Sequence, residues 1–326
     1  MMERENREHE VKDVSEEKSD LEMSLSARHQ ALERILRDIE QIIGDDAGKT
    51  REETASDLGD GREDGEARDA AGATPLERAQ ELVYKAWETS GLERAELAVK
   101  ALQICEECAD AYVILAEETS KTPAEAIQMY ELAVRAGERA LGHEVFRENL
   151  GEFWDIVEAH PYMRARTKLA EALWQNGDHR RAIIHYKELL RLDSGDSQGI
   201  RYSLMNCLLE EGLHREVKEL IVEYRGDQTA AWLYSRALWG YVRFGAGIRS
   251  GAYLKEAFQA NLFVPEYISG RRELPGTLPD YYGWGDENEA IVYAHGALAT
   301  WRRIDGALEW IEESFRSHTP GPTHGG

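Results

Sequence analysis

The chain has 326 residues, with 39 Lys and Arg against 62 Asp and Glu, giving a formal net charge of -23. A surface this acidic repels phosphate backbones and anionic lipid, so nucleic-acid binding and a polybasic membrane anchor are not expected, and basic or neutral partners remain open. The length provides for about two domains or one elongated one.

The charge is unevenly spread. Met1 to Pro75 hold 22 acidic and 11 basic residues, while all 6 Phe, 8 Trp and 14 Tyr lie beyond Pro75. An aromatic-free, carboxylate-rich stretch buries too little apolar surface to offset the entropy of ordering it, so residues 1–74 are expected to be mostly disordered. Within them Leu21, Leu25, Leu32, Ile35, Leu36, Ile39, Ile42 and Ile43 recur at three- and four-residue steps. That spacing predicts an amphipathic helix over 21–43, either solvated or docked on a partner, and residues 44–73 read as an acidic linker. The N-terminus mixes Glu and Arg without an apolar core, and the longest apolar run, Ala111 to Ala116, is too short to span a bilayer, so a cytoplasmic protein is expected. Three cysteines, Cys105, Cys108 and Cys207, form an odd set that fits a reducing compartment.

From Thr74 the period is helical. Thr74-Pro75-Leu76-Glu77 and Thr122-Pro123-Ala124-Glu125 each set a Thr N-cap before a first-turn Pro and a Glu three positions on, so side chains can satisfy the orphan amides that open a helix. Amphipathic segments of about 12 to 17 residues follow with short Gly, Asn or Asp breaks, and no stretch alternates like a strand for long, which predicts an all-α body. In 163–196, Leu169-Ala170, Gly177, Ala182, Tyr186 and Ser194 fall where tetratricopeptide repeats place a Leu-small pair, an inter-helix Gly, a small residue, an aromatic and a turn residue. Leu204, Gly212, Val217 and Ile221 make a second copy, and Tyr112, Leu115-Ala116, Ala126 and Tyr130 a third. Residues 76–105 and 231–261 supply weaker helix pairs. The expected fold is an α-solenoid over 75–261, a long loop and a C-terminal helical cap over 262–316, where Asp286 and Glu289 make a capping-box-like start, and a disordered end at 317–326.

The stretch from Ala101 to Glu118 (ALQICEECADAYVILAEE), followed by 124–137 ending Tyr-Glu-Leu-Ala-Val-Arg-Ala-Gly, resembles the suppressor of tumorigenicity seven family. The resemblance implies a helical-repeat fold and adds little chemistry; eukaryotic members of that family are associated with membranes. The part after Asn261, with Val264-Pro-Glu-Tyr267, Leu278-Pro-Asp-Tyr281 and Gly283-Trp-Gly-Asp-Glu287, looks like the tail of bacterial tetratricopeptide-like proteins. Likeness to tetratricopeptide arrays puts Tyr112, Glu117, Thr167, Glu171, Trp174, Tyr202 and Asn206 on the concave face. Glu117 and Glu171 beside those aromatics imply a groove for a basic or aromatic-rich peptide or protein.

Motifs for chemistry are weak. Cys105-Glu-Glu-Cys108 lacks a second ligand pair for zinc and the strand that precedes a thioredoxin-like dithiol, so the cysteines read as packing thiols, with redox sensing and metal as alternatives. Phe244 to Gly251 carries three glycines without the G-x-G-x-x-G spacing and reads as an inter-helix turn, with Ser250 as a capping residue. The histidines show no metal-ligand spacing and no G-x-S-x-G elbow occurs, so no catalytic residue, cofactor or metal is expected. Residues 262–285 are a better candidate: a long loop with Pro265, Pro275 and Pro279, whose Tyr267, Arg271, Arg272, Tyr281 and Trp284 form either a binding site or a strap packed on the repeats. The expected function is a non-enzymatic interaction scaffold; the alternative is an enzyme or small-ligand module using that loop.

Overall fold

The computed structural model describes residues 73–318. The acidic tail to Gly72, with its expected helix over 21–43, and the end from residue 319 lie outside the described residues. Among the described residues the regular elements are helical: thirteen α-helices and two 3₁₀ turns. They divide into two compact units, the boundary in the sequence falling between Ala136 and Gly137.

The first unit holds α1 (Pro75–Trp87), α2 (Gly91–Ile104), α3 (Ala109–Thr119) and the start of α4 (Pro123–Glu148). Helix α1 opens as its sequence predicts. The Thr74 hydroxyl accepts from Glu77 N at 3.2 Å and the Glu77 carboxylate accepts from Thr74 N at 2.6 Å. At the second start Thr122 caps Glu125 N at 3.2 Å, but the Glu125 carboxylate reaches one residue further back, to Lys121 N at 2.7 Å. Ala79, Ala86, Ala98 and Ala101 are wholly buried, and side chains this small let helices approach closely. Two polar ties cross the packing: Gln80 donates to buried Asp110 at 2.9 Å, and Arg94 holds Glu117 at 2.8 Å and Glu118 at 2.7 Å.

The second unit begins within α4, whose helical course is broken at Gly142 (φ 70°, ψ 161°). After the turns Phe153–Asp155 and Val157–Ala159 come α5 (His160–Gln175), α6 (His179–Leu192), α7 (Ile200–Glu210), α8 (His214–Glu223), α9 (Ala230–Phe244) and α10 (Ile248–Ala260). Tetratricopeptide-like pairing follows from the turns. Gly177 (φ 87°) donates to the Trp174 carbonyl and Asp178 N to that of Leu173; Gly212 (φ 66°) donates to Leu209 and Leu213 N to Leu208. Both are Schellman closures that need a left-handed residue, which only glycine adopts without strain. Ala182 and Val217, the small positions predicted for the second helices, are fully buried.

The segment read as one irregular loop differs from the expectation. A short helix α11 (Val264–Ile268) interrupts it, started by Pro265, before the chain reaches α12 (Glu287–Arg303) and α13 (Ala307–His318). Helix α12 packs against α7 and α9 as well as α11, so the segment expected to be a terminal cap also forms part of the wall described next.

Candidate functional site

The site is built on the start of α7. Its N-cap, Gly199, has no side chain to offer the first amides. Asp196, itself left-handed at φ 53°, does so from upstream, accepting from Ile200 N at 2.6 Å and Arg201 N at 3.1 Å. The Arg201 guanidinium then binds Asp196 at 2.7 Å and Asp227 at 2.8 Å and donates to the Tyr202 hydroxyl at 2.6 Å. That hydroxyl donates to Asp227 at 2.9 Å. Asp227 also accepts from Thr229 N at 2.9 Å and from its hydroxyl at 2.7 Å. Burial opposes ionisation of Asp227, yet the bonds from Thr229, Arg201 and Tyr202 outweigh it and hold its carboxyl below the usual range. Burial pushes the Tyr202 phenol up to about 12.

A second carboxylate fixes the opposite wall. Asp286 caps α12 through Glu289 N at 2.8 Å, but Glu289 does not close the predicted box. Its carboxylate, in a residue only 5% exposed, accepts from Ala230 N at 3.0 Å, Asn261 Nδ2 at 3.0 Å and Gly285 N at 2.7 Å. It thus ties the starts of α9 and α12 to the end of α10. Nearby, the Tyr293 hydroxyl accepts from Trp301 Nε1 at 2.8 Å and lies 3.4 Å from the Ser235 hydroxyl.

Between these walls lies a cavity of about 390 Å³, lined by Arg201, Tyr202 and Asn206 of α7, Ser235 of α9, Glu289 and Tyr293 of α12, and Tyr282 and Trp284 of the preceding segment. The size suits a side chain or small ligand. Trp284 is 82% exposed and Tyr282 53% exposed, so the cavity has an aromatic rim open to solvent.

A family model described as "ST7 protein" matches residues 62–242, more than half of the chain. The chain belongs to the ST7 family. Among curated ST7 relatives, the Protein ST7 homolog of Caenorhabditis elegans is 28% identical, covering 74% of this chain and 51% of that protein. The Suppressor of tumorigenicity 7 protein of Macaca fascicularis is 25% identical, covering 68% and 46%. The chain therefore spans about half the length of the curated ST7 relatives it matches. A solved structure, YrrB, described as a TPR protein with an unusual peptide-binding site, superposes with a TM-score of 0.38 at 18% identity, covering 57% of this chain and 84% of that one. The ST7 match takes in α7 and most of α9, whereas the rim and α12 lie beyond residue 242.

The structure gathers Tyr202, Asn206 and Trp284 from the predicted sets at one cavity. Thr167, Glu171 and Trp174 share α5, where Thr167 donates back to the Met163 carbonyl, Glu171 pairs with Lys168 at 3.2 Å and Trp174 stacks on His179 at 3.9 Å. Tyr112 is buried in the first unit, and Glu117 there is engaged by Arg94. In the loop, buried Tyr267 donates to Glu287 at 2.7 Å; Arg271 pairs with Glu312 at 3.3 Å over the Phe315 ring, and Arg272 is held by Glu266 and Glu287. Those three side chains are therefore occupied by the fold, while Tyr281, 81% exposed, remains at the surface. Sequence reasoning missed Arg201, Asp227, Ser235 and Tyr293 as site residues and assigned Glu289 only a local cap. The available signal was the pair of turn carboxylates at Asp193 and Asp196 just before an Arg-Tyr pair.

The other motifs resolve structurally. Cys105 ends α2 and Cys108 begins α3, and both are free thiols, with burial pushing Cys108 up to about 12. Among the described residues no group of three or more His, Cys, Asp and Glu is placed to hold a metal ion. Helix α10 starts at Ile248, earlier than expected, and Ser250 accepts from Gly247 N at 3.1 Å while donating to the Gly245 carbonyl at 2.6 Å. Among the described residues no helix is long and apolar enough to cross a membrane.

Proposed function

We propose that this ST7-family chain is a non-enzymatic interaction scaffold and that its second unit receives an extended segment of a partner protein at the cavity between α7, α9 and α12. The observation that carries the reading is the cavity itself, which joins polar side chains on helices to a solvent-open aromatic rim. Asn206 and Ser235 offer donors and acceptors of the kind an extended backbone needs, and Tyr282 and Trp284 supply large contact area with few rotatable bonds. The volume also suits a small ligand, the second reading.

Photo-crosslinking separates them. With p-benzoylphenylalanine in place of Trp284 in the full chain, the expected product is a protein adduct that is lost when Phe replaces Ala231, which also lines the cavity. The same probe in place of Val222, 59% exposed on α8, should give no such adduct. Identical adducts at both positions, or none at 284, would refute the scaffold reading, and a low-mass adduct at 284 alone would establish the small-ligand one. Unchanged helicity of the Ala231→Phe protein guards against misfolding.

A further inference from the structure

We propose that the group this cavity takes is a cation: a lysine or arginine side chain of the bound segment, seated under Trp284 and Tyr282. The inference rests on the peptide-binding reading above and specifies its chemistry. Among the lining residues the charged ones are Arg201 and Glu289, and they are not equivalent. Arg201 is bonded to two carboxylates, Asp196 and Asp227, and its guanidinium lies against the rings of Tyr202, 4.3 Å from the centroid, and Tyr224, at 5.4 Å. Its positive charge is thereby more than cancelled at close range. Glu289 is held by three neutral amide donors, from Ala230, Asn261 and Gly285. Amide dipoles and helix N-termini stabilise a carboxylate but supply no full positive charge. Of the carboxylates only Glu289 lines the cavity; Asp196 and Asp227 stand behind Arg201 and neutralise it, so the charge left facing the cavity is negative and its walls favour a cationic visitor.

The rim acts in the same direction. Tryptophan and tyrosine faces attract ammonium and guanidinium groups, tryptophan most strongly, and the long apolar stem of Lys or Arg can lie along the rings while its head lies toward Glu289. An anionic side chain would meet like charge. A purely apolar one would gain contact with the rings but leave the Glu289 charge uncompensated.

The test is selection of a random heptapeptide library on the intact chain and on the Trp284→Ala/Tyr282→Ala double variant, at low and high salt. Both replaced residues are exposed, so folding of the variant is expected and is checked by circular dichroism. Sequences enriched on the unaltered protein should carry Lys or Arg at one position. A synthetic peptide from that pool should bind about fivefold to tenfold more weakly to Trp284→Ala, lose at least as much when the cation is replaced by norleucine, and weaken with salt. Enrichment of apolar or acidic peptides that still needs the rim overturns the cation inference and leaves peptide binding standing. No enrichment over the double variant overturns both, as does Trp284-dependent sedimentation with phosphatidylcholine vesicles without peptide selection, which would make the rim a membrane contact.

Discussion

Replacing Glu289 by Ala removes a carboxylate that three donors share, and the structure sets the size of the loss. The bonds from Ala230 N and Asn261 Nδ2 are buried; Ala230 N is left without an acceptor, at about 1–3 kcal/mol, whereas Asn261 Nδ2 keeps its bond to the Asp286 carbonyl at 2.8 Å and loses about 0.5–1.5 kcal/mol, so the two together cost about 1.5–4.5 kcal/mol. Gly285 N is only partly buried; water can replace its partner, so it adds little. Against a native stability of roughly 5–15 kcal/mol this is a large fraction. For a unit of this size, the midpoint of the range corresponds to a fall of about 10 °C in Tm. Glu289→Gln keeps one oxygen but turns an amide NH₂ toward at least one of the same donors, so it should lie between the native protein and Glu289→Ala. Exposed Glu273→Ala is the control and should stay within about 0.5 kcal/mol. Urea unfolding followed by tryptophan fluorescence measures all three. A Glu289→Ala cost below about 1 kcal/mol would refute the claim that this carboxylate joins α9, α10 and α12.

Two further outcomes follow from burial of titratable groups. Burial, helped by the nearby Arg166 and Arg181, pulls the His185 imidazole down from 6.5 to about 4. Between those values the unfolded chain binds the extra proton, so stability should fall by up to about 3 kcal/mol as pH drops from 6.5 to 4. His185→Gln should flatten that dependence, and equal slopes by urea titration at each pH would contradict it. The Cys108 and Cys207 thiols are buried, which raises both well above the ordinary thiol value. A disulfide reagent at pH 8 should therefore titrate one thiol quickly, Cys105, and all three only after unfolding; a fast thiol remaining in Cys105→Ala protein would refute this assignment.

Local signals carried the fold far. Thr74 with Glu77, and the glycines at 177 and 212, act within a few residues of chain, where spacing alone sets what the backbone can do. The family resemblance read over 101–118 and 124–137 lies inside the matched ST7 segment. The site was legible only in pieces. Tyr202, Asn206 and Trp284 were candidates on separate grounds, but nothing in the spacing says that the last lies over the first two, because α12 reaches them by tertiary packing. Glu289 misled for the same reason: as the third residue of a helix it fits a local cap, and its buried partners come from distant chain. Arg271 and Arg272 looked available because the acids that engage them, Glu312 and Glu287 among them, stand well downstream.

The Arg201 clasp bears on how binding would feel to a partner. With its guanidinium bonded on three sides, Arg201 holds the first turn of α7, and with it the Tyr202 ring, in one place before anything arrives. That wall loses little freedom on contact, whereas the Trp284 ring, open to water over most of its surface, must give up its rotamers. The site is a rigid floor beneath a pliant lip. Differences between successive ligands should therefore appear mainly in how long the lip stays shut, as dissociation rates, and much less in how fast they arrive.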